Sequence, residues 1–119
     1  MGDKVAVLMR KAPYGSVYTA EGLRTIMGIA VFEMDVRLVF IDDGVLSLVK
    51  GQDPAGLDMK PLGVAFPGLA DMGVTEFYVH DGSLAERGLT PDDLVVPVHV
   101  VSAEQIAGIL QDAGKVLPF

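Results

Sequence analysis

The sequence predicts a three-layer α/β/α domain with a mainly parallel sheet of about five strands. Short continuous apolar runs recur along the 119 residues, and runs without alternation are typical of parallel strands that are covered on both faces. Segments between them carry apolar residues at three- and four-residue spacings, as amphipathic helices do. Because parallel strands need crossover connections, this alternation predicts helices on both sides of one sheet.

The first part of the chain predicts two strands and one long helix. Residues 5–9 are a continuous apolar run, followed by the turn-forming residues 12–16. From about residue 17 to residue 32, the apolar residues fall on one helical face. Residues 36–41 predict the second strand, which ends in the sequence Asp42-Asp43-Gly44.

The middle of the chain predicts one further strand between less regular segments. A short helical turn is expected over residues 45–49, and glycine and proline mark residues 51–56 as a loop. A helix is expected from about residue 61 to residue 72, with a kink or a break at Pro67. Residues 75–79 predict the third strand.

The last part predicts short helices around two more strands. Residues 83–87 are expected to form one or two helical turns, and Thr90 is placed to cap another short helix. Residues 95–101 predict the fourth strand. Ser102 and Gln105 have capping-box spacing at the start of a helix that reaches about residue 113, and residues 115–119 predict the last strand.

Composition limits the architecture and the mode of association. A chain of this length favours a single domain over residues 1–119, since two halves would each be too small for a good core. Half of the residues are hydrophobic, and the mean hydropathy is +0.43. Such values are high for a small soluble monomer, so we expect apolar surface to be buried between subunits of an oligomer.

Charge and hydropathy exclude several classes of function. A net charge of -7 opposes direct binding to nucleic acid, which needs a basic face. No apolar stretch approaches the roughly 18 residues of a membrane span, and the first residues do not resemble a signal peptide. We therefore expect a cytoplasmic protein that does not bind a membrane. The chain has no cysteine, which excludes disulfides and thiolate metal sites.

Two of the predicted strands end in loops that suggest binding sites, since ligands of open α/β sheets gather at the carboxyl ends of strands. The loop around Tyr14 and Gly15 can lay backbone amides around an anion. It lacks Walker and dinucleotide-binding spacing, so an ordinary turn is the simpler interpretation than a nucleotide site. Asp42 and Asp43 can hold Mg²⁺ or act as acid and base, but a carboxylate that caps the following turn is the simpler interpretation.

The third strand ends in a histidine, a carboxylate and a hydroxyl: His80, Asp81 and Ser83. These are the groups of a hydrolase triad, but adjacent residues on a chain rarely face one another, and triads are recognised by geometry. His99 lies within the predicted fourth strand and is most simply a hydrogen-bonded core or interface residue. No metal site is predicted.

Several short motifs follow one another in an order typical of a known family. They are Ala12-Pro13-Tyr14-Gly15, Glu21-Gly22-Leu23, the run from Phe40 to Val45, Leu48 with Gly51-Gln52, and the run from Ser83 to Leu89. In these motifs the chain resembles the DsrE/DsrF-like sulfur-relay family over nearly its whole length, closest to the DsrF/TusC branch. The resemblance implies the same α/β fold and subunits that associate into dimers and hexamers.

The resemblance also implies a role in sulfur transfer without the sulfur-carrying group. In the family, DsrE/TusD-like subunits carry a persulfide cysteine just after the third strand, and a DsrH/TusB-like subunit accompanies them. They pass sulfur toward tRNA 2-thiolation or sulfur oxidation. That cysteine position falls at about His80 here. Only a thiolate can carry the sulfur, so the chain is expected to be a non-catalytic subunit without a cofactor, in which an imidazolium at His80 helps to tune a partner's thiol.

The pocket candidates share a predicted place at the carboxyl ends of the strands: Tyr14, Gly15, Asp42, Asp43, His80, Ser83 and Arg87. Two alternatives to the relay subunit stay open. One is a homo-oligomer of unknown role that has the fold without the sulfur chemistry. The other is a small-ligand or nucleotide-binding enzyme of similar fold, which needs a well-formed pocket.

Overall fold

A computed structural model describes residues 4–11, 18–32, 35–49 and 66–119 of the chain. Five strands and three α-helices lie within these ranges: β1 (Lys4–Met9), α1 (Tyr18–Ala30), β2 (Asp35–Phe40), β3 (Glu76–His80), α2 (Asp81–Glu86), β4 (His99–Val101), α3 (Ala103–Asp112) and β5 (Lys115–Pro118). Three 3-10 helices complete the described elements: Asp42–Leu48, Pro67–Met72 and Pro91–Asp93. No helix in these ranges is long and apolar enough to cross a membrane.

The five strands form one parallel sheet in the order β4-β3-β2-β1-β5. Ile26 of α1 and Leu84 of α2 pack in one core cluster, on the face of the sheet that includes Leu38. Ile106 of α3 packs with Val39 on the opposite face. The predicted three-layer arrangement with a parallel sheet is therefore confirmed.

The fourth strand is shorter than the sequence predicts. The apolar run suggested a strand over residues 95–101, but only His99–Val101 pairs with β3. Before it, the backbone N–H of Val95 donates to the carbonyl of Leu48 at 2.8 Å. Pro97 has no N–H for a ladder, so the residues that precede His99 make other contacts. Valine content alone was therefore misleading here.

The 3-10 helix after β2 begins at Asp42, earlier than the predicted turn over residues 45–49. Gly44 makes this start feasible, because a Cβ atom at this position would lie 1.9 Å from the carbonyl oxygen of Met9. Only a glycine fits so close to the end of β1. Of the helix expected over residues 61–72, the structure describes the 3-10 helix Pro67–Met72, and residues 61–65 lie outside the described ranges.

The start of the last helix, α3, was predicted correctly from its capping residues. Ser102 accepts a hydrogen bond from the backbone N–H of Gln105, and the side chain of Gln105 accepts one from the backbone N–H of Ser102. This capping box was predicted from the sequence. The helix then presents Ile106 to the sheet. The start of α3 is thereby fixed next to the carboxyl end of β4.

Candidate functional site

A cavity opens at the carboxyl end of the sheet, between two neighbouring strands that are followed by helices on opposite faces of the sheet. The chain leaves β3 toward α2 on one face, whereas it leaves β4 toward α3 on the other. Such divergence creates the usual ligand crevice of open α/β sheets. The cavity has a volume of about 170 Å³ and is lined by Ile41, Asp42, His80, Ala103 and Ile106.

The sequence pattern placed Asp42 and His80 at this edge but not the apolar walls of the cavity. Ile41 follows β2, whereas Ala103 and Ile106 belong to α3. Whether α3 covers the crevice depends on strand order, which local sequence does not encode. The sequence signal for these walls is the apolar position of Ile106 one turn after the cap of α3.

His80 ends β3 and caps α2 with its ring. The backbone N–H of Ser83 donates to Nδ1 of His80 at 3.2 Å, and Oγ of Ser83 lies 2.7 Å from the same nitrogen. The backbone N–H of Asp42 donates to Oγ of Ser83 at 2.9 Å. Because an N–H always donates, Nδ1 is an acceptor, and this network assigns the ring proton to Nε2.

These contacts form a chain in which the Asp42 amide donates to the Ser83 hydroxyl and the hydroxyl donates to Nδ1 of the His80 ring. The hydroxyl accepts from Asp42, so its own proton is directed toward Nδ1. Glycine at position 82 leaves room for the ring, since a Cβ atom there would lie 3.0 Å from Cε1 of His80. The imidazole is thus held in one orientation and one tautomer.

The structure corrects the expectation that the histidine, aspartate and serine after β3 do not face one another. The first turn of α2 returns Ser83 to His80, and Oδ1 of Asp81 lies 3.6 Å from Nε2. However, Ser83 is only 2% exposed, and a nucleophilic hydroxyl has to reach its substrate. This arrangement orients the ring rather than activating Ser83.

Arg87, at the end of α2, links this helix to the 3-10 helix that follows β2. Its Nη2 donates to Oδ1 of Asp43 at 2.8 Å, and its Nη1 donates to the carbonyl of Ser83 at 3.1 Å. The hydrogen bond that Arg87 donates to Asp43 and the charge of this carboxylate hold the pKa of Arg87 above its usual value. The guanidinium thus connects the two helices that begin beside the cavity, α2 and the 3-10 helix Asp42–Leu48.

The carboxylates after β2 do not have the capping role expected for them. No side chain caps the 3-10 helix that begins at Asp42, so the expected carboxylate cap is wrong. Asp43 is instead bound to Arg87. No group of three or more histidine, aspartate or glutamate side chains in the described ranges is arranged to hold a metal ion.

Three candidates remain: Tyr14, Gly15 and His99. Tyr14 and Gly15 lie outside the described residues. His99 is not a core residue, since its side chain is 63% exposed. Its ring stacks on Tyr78 with a centroid distance of 5.1 Å, and its Nε2 lies 3.8 Å from Oε2 of Glu76. The core interpretation of His99 is therefore wrong, and its place in an interface stays a prediction.

A second, larger cavity lies near the amino ends of β3 and β4, away from every pocket candidate in the described ranges. Its volume is about 240 Å³, and its walls are mainly apolar: Phe66, Pro67, Ala70, Thr75, Phe77, Val95, Val96 and Pro97. It brings together none of the ionisable groups discussed above. The smaller cavity at His80 is therefore the better candidate site.

Comparison with known proteins identifies the family of this chain. The sequence model of the DsrE/DsrF-like family matches residues 3–119. The chain belongs to the DsrE/DsrF-like family. The resemblance inferred from its motifs is thus confirmed. The identified family also agrees with the parallel five-stranded sheet described above.

Curated relatives of this DsrE/DsrF-like chain lie on the DsrF/TusC branch. The intracellular sulfur oxidation protein DsrF of Allochromatium vinosum is 46% identical over 92 residues, which are 77% of this chain and 68% of that protein. A TusC homolog of Vibrio parahaemolyticus is 34% identical over 117 residues, 98% of this chain and 99% of the homolog. The crystal structure of the ychN protein from E. coli superimposes with a TM-score of 0.85 at 25% identity, with 100% of both chains covered.

Proposed function

We propose that this chain is a non-catalytic subunit of a sulfur-relay complex that resembles DsrEFH or TusBCD. It supports intracellular sulfur transfer in sulfur oxidation or tRNA thiolation. The observation that carries the proposal is membership of the DsrE/DsrF-like family, with DsrF and TusC relatives, in a chain without cysteine. Since persulfide chemistry needs a thiolate, the sulfur has to reside on another subunit.

The site at His80 supports a role beside the sulfur carrier. The family resemblance places the carrier cysteine of other subunits at about this position, just after the third strand. Here the position holds an imidazole whose orientation is fixed by Ser83. The buried Ser83 hydroxyl is engaged by the Asp42 amide, so it does not replace the missing nucleophile.

Exposed apolar side chains support association with other subunits. Val31 and Phe32, just after α1, are 71% and 77% exposed. Adjacent large apolar residues at such exposure are typical of surfaces that a partner covers. We place DsrE/TusD-like and DsrH/TusB-like subunits there, in a cytoplasmic hexamer or other oligomer built from one DsrE/DsrF-like domain over residues 1–119. Binding to nucleic acid or to a membrane is not part of this role.

Copurification from the native host tests the proposal. The tagged chain is isolated gently, and its complexes are identified by native mass spectrometry. We expect a hetero-oligomer that includes a cysteine-bearing subunit of the same family. Phe32→Glu should weaken this complex, whereas Gln111→Glu adds the same charge at an exposed polar position of α3 and should not. Recovery of a homo-oligomer alone would contradict the relay role and favour an oligomer of another function.

A further inference from the structure

The Nε2–H group of His80 is a hydrogen-bond donor without a close acceptor in the described part of the chain. Nδ1 already accepts from Ser83. The carboxylate oxygen that faces the other ring nitrogen, Oδ1 of Asp81, is 3.6 Å away, which is longer than an N–H···O hydrogen bond. His80 lines the cavity at the carboxyl end of the sheet, and its side chain is 27% exposed. The free donor therefore borders a space that a ligand atom can occupy.

The walls of this cavity limit what the ligand atom is. Ile41, Ala103 and Ile106 are apolar, so a strongly hydrated anion would lose its water against them. Sulfur is polarisable and accepts hydrogen bonds weakly, so it suits apolar walls that carry one donor.

The size of the cavity agrees with a small sulfur-bearing side chain. Its volume of about 170 Å³ compares with about 30 Å³ for each molecule of liquid water. It therefore has room for the one carbon and two sulfur atoms that extend from the backbone in a cysteine persulfide.

We propose that the cavity receives the cysteine or cysteine persulfide of a partner subunit, and that Nε2–H of His80 donates a hydrogen bond to its sulfur. This inference rests on the proposed function, which supplies the partner. It replaces the expected imidazolium with a donor of fixed tautomer, because Ser83 occupies Nδ1. His80 is then a positioning residue for the partner's sulfur.

Nuclear magnetic resonance of the intact complex tests the contact. The chain is labelled with ¹⁵N-histidine and measured while the partner's cysteine is a thiol, a persulfide or blocked by iodoacetamide. We expect the Nε2–H signals of His80 to differ among the three states, while Nδ1 keeps the shift of an unprotonated nitrogen and His99 does not respond. Identical His80 signals in all three states would overturn the inference.

Alkylation of the partner's cysteine gives a second readout. His80→Asn keeps an acceptor for the cap of α2 but removes Nε2–H, and His99→Asn is the matched control at an exposed histidine. A hydrogen bond to a charged acceptor corresponds to about a tenfold change in equilibrium. The pH midpoint of alkylation should therefore move upward by about one pH unit in His80→Asn alone.

The two proposals fail in distinguishable ways. If no cysteine-bearing subunit copurifies with the chain, the proposed function and this inference are both wrong. If such a subunit is bound but its alkylation profile is the same in wild type, His80→Asn and His99→Asn complexes of equal mass, only the contact with His80 is wrong. If His80→Asn does not assemble, the histidine spectra of the wild-type complex decide the question.

Discussion

Two buried serines offer a direct measure of how firmly His80 is held. Ser83 and Ser47 are 2% and 0% exposed, so alanine removes one buried oxygen atom at each position and leaves little cavity. Oγ of Ser83 accepts from Asp42 and lies 2.7 Å from Nδ1 of His80. Oγ of Ser47 has no hydrogen-bond partner in the described part of the chain. The two substitutions are chemically identical but differ in the contacts they remove.

The expected magnitudes follow from the hydrogen bonds. A hydrogen bond contributes about 1 kcal/mol net to stability, and leaving its buried partner unsatisfied adds to the loss. Ser83→Ala removes two such contacts, so we expect the free energy of unfolding to fall by about 2 kcal/mol. Ser47→Ala removes an oxygen atom that is buried without a partner, so its effect should be near zero or stabilising.

Urea denaturation of both variants at equal protein concentration is the assay. With a urea m-value of about 2 kcal/mol/M, about 2 kcal/mol corresponds to a difference of roughly 1 M in the urea midpoint between the variants. The m-values should stay equal, since neither substitution changes the surface exposed on unfolding. Equal stability of Ser83→Ala and Ser47→Ala would refute the hydrogen-bond chain that fixes the His80 tautomer.

Three further outcomes follow from the same structure. Gly44→Ala should prevent stable folding, as seen by circular dichroism, because its Cβ atom would lie 1.9 Å from a backbone oxygen of β1. Arg87→Ala should lower the free energy of unfolding by about 1 kcal/mol, since the ion pair of Arg87 with Asp43 is partly exposed. In urea titrations this loss should be smaller at high salt, and a loss that does not depend on salt would contradict a role for the ion pair. The hydrogen bond from Lys4 lowers the pKa of Asp112. The ionised Asp112 carboxylate therefore contributes to the free energy of unfolding above the unfolded pKa of 3.8, and this contribution is lost as the pH falls through the folded pKa. Asp112→Asn should therefore flatten the loss of stability below about pH 4, and an unchanged acid limb would exclude this contribution.

Much of the fold was predictable because local signals agreed with one another. Continuous apolar runs identified β1 and β2 within about one residue, since strands buried on both faces need no polar positions. The capping box at Ser102 located the start of α3. The fourth strand was overestimated, because valines at 95 and 96 pack in the core without pairing in the sheet.

The site was only partly predictable, because its geometry depends on contacts across the chain. The sequence placed His80 and Asp42 at strand ends, which parallel topology brings to one edge. It did not indicate that Ser83 would bond to both residues, since that requires the turn of α2 to meet the loop after β2. The hydrophobic pattern also did not reveal that His99 is exposed, because a short apolar run looks the same in an edge strand covered on one face as in a strand buried on both faces.

The proposed role in sulfur transfer can be tested by following where sulfur resides in the reconstituted complex. The purified complex is loaded with a persulfide donor, and the intact mass of each subunit is measured with and without this chain present. We predict that a cysteine-bearing partner gains sulfur, that this chain gains none, and that onward transfer slows when the chain is omitted. Equal transfer without the chain, or a sulfur adduct on the chain itself, would contradict the role of a silent relay subunit.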